Sequence, residues 1–362
     1  MITSLSIRDF KRFKSETLTF RPLTVLAGQN GSGKTSTIHA LLLAVAASQR
    51  GDGIAELNGP FGLELGWFES LINRNAADSY FSVEIEQTGG QRASWTFEEG
   101  DTELYASVTL PFTGGETFSH GSASRFQYLG AERLGPRIVQ SSAALPRDKL
   151  QVGWQGQYTA QVIEKLGTQI VEHGRLFPSD EEIPPLLKAQ AEQWLSAIVR
   201  PVQIDTSTFP DTGVASIAFR VPGGEFVRPT NMGFGVTYAL PIVVAALTAA
   251  DGGLLIVENP EAHLHPAGQS AVGIFLARMA SAGVQIVLET HSDHVLNGIR
   301  RAIGEQQILK SESGIVHFFE DPDLPAQPLV FTPSGGFSDW PPGFFDQYQL
   351  DVARLNRVRR SR

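Results

Sequence analysis

The chain has 362 residues, 42 % hydrophobic and 19 % charged, the balance of a folded globular protein long enough for one or two cores. A formal charge of −9 argues against non-specific coating of nucleic acid, and the lack of cysteine excludes disulfides, thiolate metal sites and cysteine nucleophiles. The N-terminal stretch has no signal-peptide core, and the longest apolar run, residues 239–250, is too short for a bilayer and contains Pro241, so a soluble cytoplasmic protein without membrane contact is expected.

In chain order, MITSLSIRDFKRFK alternates apolar and polar residues. Residues 23–27 then read as a buried strand, and Ile38, Leu41, Leu42 and Val45 recur at helical spacing. Between them lies Gly28-Gln29-Asn30-Gly31-Ser32-Gly33-Lys34-Thr35, a full G-x-x-x-x-G-K-[ST] match. Glycines there let backbone amides close around phosphate oxygens, and the helix N-terminus adds further amides and a favourable dipole. Lys34 is expected to reach the β- and γ-phosphates of ATP, and the Thr35 hydroxyl to ligate Mg²⁺. The candidate nucleotide-binding residues of this loop are Gly28, Asn30, Gly31, Gly33, Lys34, Thr35 and Ser36.

The middle of the chain is less explicit. Three alternating segments within 80–110 (YFSVEIEQ, RASWTFEE, ELYASVTL), separated by Gly-Gly and Gly-Asp turns, predict an antiparallel sheet over one side of the nucleotide lobe. Residues 157–200 read as two helices, the first carrying Val162, Ile163, Leu166 and Ile170, the second Leu187, Trp194, Leu195 and Ile198. No sustained heptads occur, which favours a short lid or partner-docking element over a long coiled-coil arm. Arg133, Arg137, Arg147 and Lys149 form an irregular basic cluster, equally readable as a solvated surface or a nucleic-acid groove.

A second anchor follows. The apolar run 254–257 ends in Glu258, Asn259, Pro260 and Glu261. Glu258 is the candidate magnesium-side acid, with Thr35 as the other metal-side group. Asn259 stands where a hydrolase would place a second carboxylate; it can orient a water but cannot accept its proton. Glu261 is the nearest alternative carboxylate, weighed equally against a helix-entry charge ahead of Pro266. Pro266 starts a helix with Val272, Ile274, Phe275, Leu276 and Met279 as apolar members, Gly283 ends it, and 284–288 forms another buried strand leading to Glu289-Thr290-His291-Ser292. A histidine at a strand's C-terminal edge lies where open α/β sheets bind ligands, so His291 is the candidate γ-phosphate sensor. More than two hundred positions separate Thr35 from Glu258 and no N-K-x-D motif occurs, the layout of an ABC-type ATPase head rather than a compact kinase or GTPase.

The stretches SIRDFKRFKSETLTF…LTVLAGQNGSGKTS, LLIVENPEAHLHP and IVLETHSDHVLNGIRRAI resemble RecF/SMC-type ABC ATPases of the AAA superfamily, specifically the OLD-like branch. DWPPGFFDQYQLD, residues 339–351, is similar to the end of a bacterial subfamily with a W-P-x-G-F-F-D module. The resemblance covers both ends and most of 230–350, and in the middle chiefly QYLGAERLGPR. It implies an α/β P-loop NTPase of the ABC-ATPase head type with an antiparallel β lobe and a helical insert. Residues 1–50 and 201–310 would be the ATPase core, 51–200 the β lobe and insert, and 311–362 a C-terminal hairpin and module with a basic tail. It also implies that Asn231, Gly233 and Gly235 occupy the signature loop, which in such families caps the ATP bound by a second subunit, although no L-S-G-G-Q is present. One of Gln127, Glu132 and Arg133 would sit at the Q-loop.

OLD-family nucleases carry a C-terminal Toprim domain, and Asp321-x-Asp323 superficially fits its metal pair. About forty residues follow Asp321, too few for such a domain, so these acids are read as a hairpin loop and any DNA cleavage is assigned to a partner. The terminal RLNRVRRSR, 354–362, is read as a solvated tail or a phosphate-backbone contact. Two functions stay open: an ATPase that dimerises on ATP, hydrolyses it slowly and couples detection of DNA or a phage signal to a partner effector such as a nuclease, or a nucleotide-gated scaffold with negligible hydrolysis.

Overall fold

The computed structural model describes residues 1–109 and 125–360, with the side chains of 349 and 357–360 excepted. Strands β1 (Ile2–Phe10), β2 (Phe13–Thr19) and β3 (Leu23–Gly28) lead into α1 (Lys34–Arg50). Next come β4 (Ile54–Glu56), β5 (Tyr80–Gln87), β6 (Arg92–Glu99), β7 (Tyr105–Thr109), β8 (Phe126–Leu129) and β9 (Val139–Ser141). Helices α2 (Thr159–Leu166) and α3 (Leu187–Ile198) precede β10 (Gln203–Phe209), β11 (Val214–Arg220) and α4 (Phe234–Thr248). The chain finishes with β12 (Leu254–Glu258), α5 (Pro266–Ser281), β13 (Gln285–Glu289), α6 (Asp293–Gly304), β14 (Gly314–Phe319), β15 (Gln327–Val330) and α7 (Gln347–Arg360).

Two large sheets sandwich α1. The first, mostly parallel sheet has the order β15-β14-β3-β13-β12-β8, parallel except for edge strand β15. Every residue of β12 and β13 is buried, as expected of strands covered on both faces. Their alternate side chains serve different cores. Leu26, Ile256 and Val287 face α1 and the second sheet, whereas Val25, Leu255, Val257 and Leu288 face α4, α5 and the insert. The second sheet, β2-β1-β5-β6-β7-β4, is antiparallel. Its strands alternate buried and exposed residues, because only one face packs, through Phe81, Val83, Ile85, Trp95 and Phe97, against α1.

The insert, α2 and α3 with the small sheet β10-β11-β9, docks on the opposite side of the core. Trp194 of α3 meets Phe275 of α5 edge-on at 5.0 Å between ring centroids. The first insert helix is shorter than its apolar spacing predicts. It stops at Leu166, and Ile170 lies in an extended bridge to Leu186 with 73 % of its surface exposed. β1 and β2 belong to the antiparallel sheet, and β8 and β14 to the sheet that contains β3. Register decides this, since β14 pairs in parallel with β3 from Gly314 opposite Leu23 to Phe319 opposite Gly28.

The 339–351 module closes the β14 end of the core. Phe344 is fully buried against Phe318 at 5.1 Å, Trp340 lies 5.1 Å from Phe344, and the Arg300 guanidinium sits 5.3 Å over Trp340. Asp321 and Asp323 fall in the loop joining β14 to β15, where the Asp323 amide donates to the Asp321 carboxylate at 2.8 Å. Leu110, expected at the end of the third lobe strand, and the last two tail residues lie outside the described residues. Among the described residues no helix is long and apolar enough to cross a membrane.

Candidate functional site

The site forms where β3, β12 and β13 end side by side. β3 turns into α1 through Gly28, Gly31 and Gly33, whose φ angles are +138°, +74° and +113°. At Gly28 a side chain is sterically barred, since a Cβ would lie 2.0 Å from the Phe319 carbonyl oxygen of β14. The Gln29 amide donates to that same carbonyl at 3.1 Å, so the neighbouring strand fixes the start of the loop. Arg12, in the β1–β2 turn, donates to the Ser32 carbonyl and, at 2.9 and 2.7 Å, to the Asp321 and Leu324 carbonyls. The loop is thus tied to the antiparallel lobe and to the C-terminal hairpin. Lys34 is buried and its ammonium donates to the loop carbonyls of Gly28 (3.1 Å) and Gln29 (2.6 Å). Burial lowers its pKa, opposed by the nearby Glu289 carboxylate. Asn30, Gly31 and Thr35 are exposed at the loop's surface, with Ser36 half-buried behind Thr35.

Two acids end the adjacent strands in register, Glu258 opposite Glu289. Their partners differ. The Tyr128 hydroxyl donates to Glu258 Oε1 at 2.8 Å, and the Ala131 amide adds to it. Glu289 receives the Thr35 hydroxyl, at 3.0 Å to Oε2 and 3.2 Å to Oε1. Among the described hydrogen bonds none joins Thr35 to Glu258, the expected metal-side pair; the Thr35 hydroxyl bonds Glu289 instead. Burial raises the Glu258 pKa against the Tyr128 bond, and it pushes Glu289, with help from the like charge of Glu258, up to about 7. His291 Nε2 lies 3.8 Å from Glu289 Oε1; burial, then the charge of Lys34, lowers its pKa.

Asn259 has φ +44°, a conformation Asn tolerates better than most residues, and its amide donates to the Glu289 carbonyl at 2.9 Å. Its side-chain Oδ1 is buried without a hydrogen-bond partner. Glu261 holds the segment after β13: it accepts the Thr290 hydroxyl at 2.7 Å and the His291 amide at 2.8 Å. Both oxygens are occupied, so the structure gives Glu261 an anchoring contact on the His291 backbone. Ser292 then caps α6, accepting the His294 and Val295 amides at 3.1 and 3.2 Å.

The three Q-loop candidates separate. Gln127 points away from the acids and donates to the Ala245 carbonyl of α4 at 2.9 Å. Glu132 is exposed. Arg133 is buried and braces the acid strand, donating to the backbone carbonyls of Glu258 at 2.6 Å, Asn259 at 2.7 Å and Gly130 at 2.9 Å. Arg133, although buried, borders one surface cleft together with Arg137, Phe234 and Tyr238, whereas Arg147 lines a separate cavity of about 320 Å³ with Gln169 and Arg175.

Asn231 and Gly233 are exposed at the start of α4, and Gly235 is buried, where a Cβ would meet the His263 carbonyl at 3.1 Å. Phe234 stacks on His263 with centroids 5.1 Å apart. Among the described hydrogen bonds, none joins these residues to the Gly28–Ser36 loop of the same chain. Sequence reasoning assigned no role to Tyr128 or Glu289. The missed signal for Glu289 is its place as the last residue of a wholly apolar strand, the same place that singles out Glu258.

Two family profiles match parts of the chain, one described as "AAA domain" over residues 4–128 and one as "AAA domain, putative AbiEii toxin, Type IV TA system" over 164–297. Among solved structures, the SmcHead bound to the C-winged helix domain of ScpA superposes with a TM-score of 0.56 at 14 % identity, covering 91 % of this chain and 97 % of that one. The fold is that of an ABC-type ATPase head. A second such head, the Smc head domain with an extended coiled coil bound to the C-terminal domain of ScpA derived from Pyrococcus furiosus, covers 99 % of both chains at 10 % identity and a TM-score of 0.56. No curated protein matches the chain significantly. Open α/β sheets bind ligands at the carboxyl ends of their strands, which is where Lys34, Thr35, Glu258, Glu289 and His291 gather.

Proposed function

We propose that the chain is an OLD-like ATPase that binds MgATP at this edge and hydrolyses it slowly. The observation that carries this reading is the convergence of a glycine phosphate loop, two strand-end carboxylates and His291 on one side of the sheet. Bound phosphate offers Lys34 charged acceptors in place of the Gly28 and Gln29 carbonyls, and the amides of 28–35 close around it. The oxygen donors at the loop's mouth, the exposed Thr35 hydroxyl and the Glu258 carboxylate, suit Mg²⁺, which prefers hard oxygen ligands and retains water. When bound, that ion supplies charge neutralisation at the β- and γ-phosphates. His291, on a segment pinned by Glu261, is placed to hydrogen-bond the γ-phosphate.

The exposed Asn231 and Gly233 support an ATP sandwich in a homodimer or higher oligomer, each copy's α4 terminus capping its partner's nucleotide. A partner effector, a nuclease or similar protein, is proposed in an antiphage-defence-like setting; the AbiEii wording of the matched profile and the ScpA complexes of the structural neighbours favour it. Contact with DNA through the 354–362 tail, and a cytoplasmic location, belong to the same reading. Asn259 favours one alternative, a nucleotide-gated scaffold without hydrolysis. Single-turnover phosphate release decides: no release above a Lys34→Ala control leaves only the scaffold. Light scattering with and without ATP tests the sandwich, and an unchanged mass rejects it.

A further inference from the structure

We infer that Glu289 supplies the water-activating carboxylate of the hydrolysis site, the function that Asn259 cannot perform. This deepens the ATPase reading and rests on it. Of the four polar residues grouped here, three are already engaged or chemically unsuited. Glu258 accepts Tyr128 and the Ala131 amide, and Arg133 clamps the backbone at its strand end. Both Glu261 oxygens are taken by Thr290 and the His291 amide. Asn259 has a side-chain amide that cannot take a proton, on a backbone held in place by Arg133 and by the Glu289 carbonyl.

Glu289 is different. Its carboxylate bonds the Thr35 hydroxyl at 3.0 and 3.2 Å, and Thr35 is solvent-exposed and can rotate its hydroxyl. Among the described residues no lysine or arginine forms a salt bridge with it. When Thr35 turns to the metal side of a bound nucleotide, this hydrogen bond is released and the carboxylate is left facing the space between Thr35 and His291. Glu289 Oε1 is 3.8 Å from His291 Nε2, so the acid borders the γ-phosphate side as well as the metal side. In the step, the water oxygen forms a bond to Pγ while the bond from Pγ to the bridging oxygen breaks, its electron pair leaving with ADP. One water proton passes to the Glu289 carboxylate and the other remains on the new phosphate; Glu289 then returns its proton to solvent.

The test measures wild type, Glu289→Gln, Glu289→Asp and the double variant Glu289→Gln with Asn259→Glu. The inference expects Glu289→Gln to cut kcat by at least about a hundredfold, within the range a general base contributes, with KM changed by less than about threefold. Unhydrolysed ATP then stays with Glu289→Gln through gel filtration in Mg²⁺, a readout independent of turnover. Glu289→Asp keeps part of the activity, and Asn259→Glu restores at least about tenfold in the Glu289→Gln background. A kcat for Glu289→Gln within about threefold of wild type overturns the inference. So does a weakening of ATP affinity of more than about tenfold, which would make Glu289 a binding group only. Wild type that releases no phosphate above Lys34→Ala overturns the ATPase reading itself, and Glu289 with it.

Discussion

Arg133 offers a demanding test of how the site is held together. In Arg133→Met the buried volume is roughly kept, but the carbonyls of Gly130, Glu258 and Asn259 lose a donor. Hydrogen bonds from a charged donor contribute about 1.5–3 kcal/mol each, so three amount to roughly 5–9 kcal/mol. Against this, burial draws the guanidinium pKa down to about 10, opposed first by Glu261, so removing the cation recovers about 3 kcal/mol of desolvation. The net expectation is a loss of about 2–6 kcal/mol, read by urea unfolding of the nucleotide-free protein. Arg133→Lys, which can satisfy fewer of the three carbonyls, falls between wild type and Arg133→Met. ATP affinity drops as well, because the Glu258–Asn259 turn loses its brace. A stability loss below about 1 kcal/mol would refute the claim that Arg133 is an internal strut and return it to the solvated or nucleic-acid-facing role.

Three further outcomes are expected. Gly28→Ala places a Cβ into the Phe319 carbonyl at a φ of +138°, so it costs at least about 2 kcal/mol in unfolding measurements and abolishes ATP binding in a fluorescent-nucleotide titration. Glu261→Gln keeps one acceptor for Thr290 or the His291 amide and loses the other charged bond; phosphate release slows by about tenfold at saturating ATP while affinity holds, and unchanged release would show that His291 does not depend on this anchor. His39 accepts Lys11 at 2.8 Å, and burial, aided by Lys11, lowers its pKa to about 3. The unfolded chain then binds the extra proton between about pH 6.5 and 3, so stability falls as pH drops through that window. His39→Gln flattens the acid limb by about 1.4 kcal/mol per pH unit, as followed by unfolding midpoints from pH 6.5 downward.

The sequence by itself determined the glycine loop of residues 28–35 and the strands and helices beside it. Gly28 to Thr35, the apolar run into Glu258 and the Pro266-to-Gly283 helix rest on local chemistry: fixed spacing, missing Cβ atoms and the 3.6-residue period. It foresaw the antiparallel lobe for the same reason, since strict alternation shows one buried face. Ile170 escaped it, because apolar periodicity does not reveal where the chain leaves the helix to pair in an extended bridge with Leu186. Tertiary structure alone decided which strands became neighbours. Parallel pairing joins residues far apart in the chain, so only the fold sets Glu289 beside Glu258, Tyr128 on Glu258 and Phe319 against Gly28. The same pairing buried Arg133 beneath the acid strand and turned Glu261 onto the His291 backbone. Local pattern names the glycine loop and the acids that end apolar strands; strand register and burial decide which of those acids are neighbours.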